Sequence, residues 1–166
     1  RQTKFSERTK KTKKIMDKIN FLKTEFPELL HTLKPDAKGS WGVMNGIQIV
    51  EHLTYSVRFA TSQQGTKIMT PADRLEASKS FAMSDKDFKP NTKNSMMSEI
   101  PEPAKNNTMQ EAIQEFENEV ATFTNYFENN IGTTLTNPFF GELNFEEWTH
   151  LLTKHAKHHC KQFDLL

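Results

Sequence analysis

At 166 residues the chain is long enough for one domain that buries roughly two thirds of the surface its extended form would expose. Its 22 basic and 21 acidic side chains leave a net charge of +1, so no overall field draws it to nucleic acid or an acidic membrane. A lone cysteine, Cys160, excludes an intrachain disulfide and the oxidised small-scaffold class.

No apolar run reaches bilayer length, and the basic start lacks the apolar segment of a signal peptide, so the cytoplasm is the expected compartment. Charge is unevenly spread. Residues 1–14 carry seven basic groups and one acidic group, which reads as a solvated helix start opposite the acidic stretch from Thr108 to Asn130. No aromatic or Gly-rich pattern accompanies these lysines, so a nucleic-acid tail is not expected.

The first helix is expected to begin within residues 3–10 and run to about Leu33. Ile15, Ile19, Leu22, Phe26, Leu29 and Leu33 form an apolar stripe at helical spacing. Pro27 lies inside that stripe and removes a backbone donor, which predicts a kink or a division of the helix. His31 falls beside the stripe near the helix end, in a structural or exposed place. Residues 34–40 are turn-rich. Asn45 with Gln48 three positions later forms a capping box, predicting a second helix to about Gln63 with two apolar sides and His52 in its middle.

Thr70-Pro-Ala-Asp73 predicts a short helix with the threonine as cap and proline at its first position. Residues 84–107 hold Pro90, Pro101 and Pro103 and keep no regular period, a long connection in which Met96, Met97 and Ile100 offer something to bury against the helices. Thr108 and Glu111 open a third long helix, with Met109, Ile113, Phe116, Val120, Phe123 and Phe127 on one face and an end at residues 129–132. A second turn-rich connection, 133–143, leads to the capping box of Asn144 and Glu147. No strand pattern is long enough to build a sheet.

The last helix holds four of the six histidines. Trp148, Leu152, His155, His159 and Phe163 share one face, so two imidazoles stand one turn apart on a stripe that should turn inward. Four helices make an antiparallel four-helix bundle the economical all-α fold, in one domain over 1–166. In such a bundle His52 can meet His155 and His159, and three nitrogens would leave a divalent metal ion an open position. The spacing alone also allows a rival His155/His158 pair, or a wet basic helix end between Lys154 and Lys161. Cys160 lies about 100° around the helix from His159 and reads as buried filler or an inert thiol.

The ordered set of motifs resembles the DinB-like superfamily, which is grouped with YfiT-like metal-dependent hydrolases. The closest likeness is to a branch of unknown function that ends Lys-His-x-x-His-His-x-x-Gln-Phe. Here that ending is Lys154-His155-Ala-Lys-His158-His159-Cys-Lys-Gln162-Phe163, preceded by Asn137-Pro-Phe-Phe-Gly141-Glu-Leu143 and by Glu147-Trp148. Trp41, Gln48 and His52, and the segment Met83 to Phe88, match in the same order. The resemblance implies a four-helix bundle whose metal is held by His52, His155 and His159, with zinc or nickel expected ahead of iron or manganese. It also implies a metal-dependent hydrolase or a low-molecular-weight-thiol-dependent transferase acting on a small molecule. The alternative is a stress-related helical protein that binds metal or a small molecule without a reaction.

Asn137 stands where that branch often has histidine, which bears on activity more than on metal binding. Gln48, one turn before His52, is expected to contact a bound water or ligand, and His158 to orient His155 or line the mouth. Glu51 adjoins His52 but points elsewhere, so adjacency does not make it a base. A homodimer through an apolar helical face would fit, and no membrane partner is expected.

Overall fold

The computed structural model describes residues 2–62, 66–94 and 96–166. It is mostly helical, with one small hairpin: α1 (Gln2–Asn20), a π-helical turn (Phe21–Glu25), α2 (Phe26–His31), α3 (Gly46–Thr61), α4 (Ala72–Met83), α5 (Met109–Asn129), β1 (Leu135–Asn137), β2 (Gly141–Leu143) and α6 (Phe145–Gln162). Among the described residues no helix is long and apolar enough to cross a membrane. The expected end of the second helix at Gln63 lies outside the described residues; the helix itself is seen to Thr61.

Pro27 divides the first helix, and the break is taken up before the proline. The backbone N–H of Phe26 reaches Phe21 O, five residues back, so the turn widens where an α-helical Pro27 ring would press on the carbonyl of residue 23. The extra residue rotates the inward face. Phe21 and Leu30 are buried, while Leu29 of the expected stripe is only partly covered.

Three capping boxes start the other long helices as expected: Asn45 with Gln48, Thr108 with Glu111, and Asn144 with Glu147, each with both reciprocal bonds made. Thr70 does not cap α4. Its hydroxyl donates to Phe139 O at 2.8 Å, and Pro71 occupies the cap position without a side-chain bond. The 133–143 connection, read from sequence as turns alone, contains the antiparallel hairpin pairing Leu135 with Leu143 and Asn137 with Gly141. Asn137 Oδ1 accepts from the N–H groups of Phe139 and Phe140 at 2.8 and 3.1 Å and builds the hairpin turn. Gly141 closes that turn at φ +78°, a left-handed conformation that favours glycine.

The core is one apolar cluster. Phe26 and Leu22, Val50 and Leu53, Phe116, Val120 and Phe123, and Trp148 and Ala156 bring the long helices together. Helix α3 packs on α5 and α6, α1 on α6, and α2 on α5. Two glutamates of α5 pair with α3 and not with the basic start of α1. Glu115 and Glu119 grip Arg58 of α3, each at 2.7 Å, while Lys11 pairs with Glu146 of α6 at 3.2 Å.

The lysines of α6 dock neighbouring pieces. Lys154 Nζ donates to the carbonyls of Phe81, Ala82 and Ser84 at the end of α4, Lys161 pairs with Asp87 at 2.8 Å, and Lys157 lies 5.1 Å over the Phe21 ring.

The long connection after α4 is packed across the helices, but not by the residues expected to anchor it. Met96 and Ile100 are exposed, and Met97 is only partly buried. Phe88 is the apolar anchor, and Glu51 of α3 accepts from the backbone N–H of Lys105 and Asn106 and from Asn106 Nδ2 at 2.7–3.1 Å. Glu51 is thus spent on this strap.

Candidate metal centre

His155 and His159 stand one turn apart on α6, and His52 projects from the middle of the facing α3. Each offers a ring nitrogen, and the three nitrogens lie within 4.8 Å of one another. His155 Nε2 is the middle atom, 3.1 Å from His52 Nε2 and 2.9 Å from His159 Nε2. The His52 ring meets the other two almost at right angles, with centroids 5.0 and 5.1 Å away.

Such a group is strained without a cation. His155 Nε2 has two nitrogens at hydrogen-bond distance and a single hydrogen or lone pair with which to meet them, so it cannot make a full hydrogen bond to both. Two nitrogens bound to one first-row ion at about 2.0–2.1 Å lie about 3 Å apart. His155 stands at about that spacing from each of its two neighbours, and all three nitrogens lie within 4.8 Å of one another, so the donor set fits such an ion.

The imidazoles are held neutral. Burial, then the neighbouring charge of His158, lowers His52 to about 4. Burial, then His52, lowers His159 to about 3 against a raising bond from Gln162, and burial with the other histidines takes His155 well below its ordinary value. Neutral imidazole is the metal-binding form.

A pH dependence follows. In the unfolded chain these rings take protons below about pH 6.5, whereas the folded rings stay bare down to about 4 and 3. The unfolded state then binds more protons, so their contribution to stability is full above pH 6.5 and falls through that window. Chelator-treated protein should lose on the order of 1 kcal/mol per histidine between pH 8 and 5.5 by urea unfolding. Equal or greater stability at pH 5.5 would refute the neutral, partly buried cluster.

The remaining expected site residues lie around this group in different roles. His158 is half-buried beside His159, its ring 5.4 Å from Trp41 and 5.9 Å from Phe88. Phe88 also lies edge-on to His155 at 6.4 Å, so the strap's aromatic covers the cluster. Gln48 is engaged elsewhere: its Oε1 accepts from Asn45 N at 2.9 Å and its Nε2 donates to Glu102 O at 2.9 Å. The carboxylate of Glu51 is turned to the strap. Cys160 is buried, and its thiol is pushed up to about 12 by burial, which makes it inert filler.

Gln162 was missed as a site residue. Its Oε1 lies 2.7 Å from His159 Nδ1, the nitrogen on the far side of the ring from the cluster. The signal was available in its position three residues after His159, which shares the helix face.

The sequence model of the DinB superfamily matches residues 19–163. The chain belongs to the DinB superfamily. No curated protein and no solved structure matches it. In this DinB-superfamily chain the matched span runs from the end of α1 through the hairpin to α6, and it includes all three converging histidines.

Proposed function

We propose that the chain is an antiparallel four-helix bundle of the DinB type that binds one divalent transition metal through His52, His155 and His159, zinc or nickel ahead of iron or manganese. The reaction proposed for it is metal-dependent hydrolysis or low-molecular-weight-thiol-dependent transfer on a small molecule. The observation that carries this reading is the meeting of three imidazole nitrogens from two helices, all within 4.8 Å, with His155 Nε2 2.9 and 3.1 Å from its two neighbours, about the spacing of nitrogens that share one ion.

When bound, such an ion supplies a Lewis-acid centre with room for an exchangeable ligand. The protein's own residues do the rest. His158 stands beside His159 at the half-buried edge, where it can contact a substrate or hold a proton. Trp41 and Phe88 flank it, their rings 5.4 and 5.9 Å away. Gln48 is committed to its helix cap and to the strap, and it takes no part in this scheme.

A second reading, a metal- or small-molecule-binding protein without a reaction, draws on the same cover, since Phe88 packs on His155 itself. Cobalt(II) titration of chelator-treated protein tests both. One cobalt per chain with an absorption spectrum that changes when a low-molecular-weight thiol is added supports a reactive open position. Stoichiometric cobalt with a spectrum indifferent to thiol supports the second reading, and no stoichiometric binding refutes the metal centre.

A further inference from the structure

We infer that Gln162 is a positioning residue that sets the tautomer and aim of the His159 imidazole and joins that ligand to the loop carrying Trp41, an inference that rests on the metal-centre reading only for its effect on affinity.

The orientation of the Gln162 amide follows from its partners. Its Nε2 lies 2.6 Å from Trp41 O, and a backbone carbonyl can only accept. The NH2 end must therefore face Trp41, which leaves Oε1 facing His159 Nδ1 at 2.7 Å. A carbonyl oxygen again only accepts, so Nδ1 carries the hydrogen. A neutral imidazole has one N–H, and His159 Nε2 is left as a bare lone pair directed at His155 Nε2, 2.9 Å away.

The loop is shaped around that amide. Gln162 is 4% exposed, and its backbone carbonyl accepts from Ser40 N at 2.7 Å. A Cβ on Gly39 would lie 2.7 Å from Gln162 Cγ and 2.9 Å from Trp41 O, and one on Gly42 would lie 2.7 Å from Gln162 Nε2. Gly42 also holds φ +77°, which side chains rarely adopt. Two glycines thus admit the amide, and Trp41, which lies between them, puts its ring 5.4 Å from His158. One side chain ties a candidate ligand to the wall of the site.

A helix-end hydrogen bond without consequence for His159 would leave its tautomer untouched, so the tautomer is the readout. Long-range proton–nitrogen NMR on metal-free protein with labelled histidines distinguishes a ring nitrogen bearing hydrogen from one that is bare. The parent and Gln162→Glu, whose carboxylate still accepts from Nδ1, should both show hydrogen on Nδ1. Gln162→Leu should shift His159 toward hydrogen on Nε2 and weaken zinc binding by roughly 10–100-fold, the usual effect of removing a partner behind a ligating histidine.

An unchanged tautomer in Gln162→Leu overturns the inference, as does an equal tautomer shift in both variants. If Gln162→Leu does not fold, Gly42→Ala displaces the same amide, and an unchanged tautomer there overturns it instead. Should the parent bind no zinc while the tautomers contrast as stated, the metal-centre reading fails and the positioning role stands.

Discussion

Replacing His155 by alanine should abolish stoichiometric metal binding, lowering affinity by about two to three orders of magnitude. His155 is the middle member of the group, within 3.1 Å of both other nitrogens. Structural zinc sites with four ligands bind with about 10–16 kcal/mol, so one ligand accounts for about 2.5–4 kcal/mol, or roughly a hundredfold to a thousandfold. The fold should survive, because in the metal-free protein the substitution removes a ring crowded by two others. Competition with a chromophoric chelator measures the affinity, and circular dichroism the fold. Undiminished metal in folded His155→Ala would eliminate this ligand set.

Trp148→Ala should be the most damaging single change in the core. The side chain is fully buried, and its Nε1 donates to Leu135 O at 3.1 Å, fastening α6 to the hairpin. Truncating a buried tryptophan costs about 3–5 kcal/mol, and the carbonyl left without its donor adds on the order of 1 kcal/mol. For a chain of this size that corresponds to a fall in Tm of roughly 10–20 °C. Trp148→Phe keeps most of the packing and should lose about 1–2 kcal/mol. Urea unfolding followed by circular dichroism gives both values, and a Trp148→Ala loss below that of Trp148→Phe would contradict the role assigned to this residue.

What could be read in advance was what chemistry writes within four residues. The three capping boxes are local exchanges between a cap and its third helical residue, and all three form. The face of α5 is equally local: Ile113, Phe116, Val120, Phe123 and Phe127 are all buried. The convergence of His52 with His155 and His159 was a geometric possibility in the spacing and an implication of the family likeness, and the structure brings the three together.

The misplaced features depend on partners far along the chain. Thr70 looks like a cap until Phe139, 69 residues away, competes for its hydroxyl. Gln48 looks free to face a ligand until the strap brings Glu102 to it. The strap's anchor could not be chosen by hydrophobicity, because Ile100 is more apolar in character than its exposed setting suggests and Phe88 wins by lying against the histidine rings. The π-helical turn shows the same limit at short range: Pro27 signalled a break, but the rotation that buries Phe21 instead of Leu29 depends on which turn yields.

A divalent cation is an improbable guest on a helix that carries Lys154, Lys157 and Lys161 among its histidines, since unit charges repel over several ångströms even in water. The docking contacts of these lysines change that field. The ammonium of Lys154 sits on the negative pole of α4, where three carbonyl dipoles oppose its potential. Lys161 forms a short dipole with Asp87, and Lys157 is drawn to the electron-rich face of Phe21. The same contacts that pin α4, the strap and the π-helical turn to α6 therefore lower the positive potential around the imidazoles, and assembly of the fold makes a lysine-bearing helix habitable for a cation.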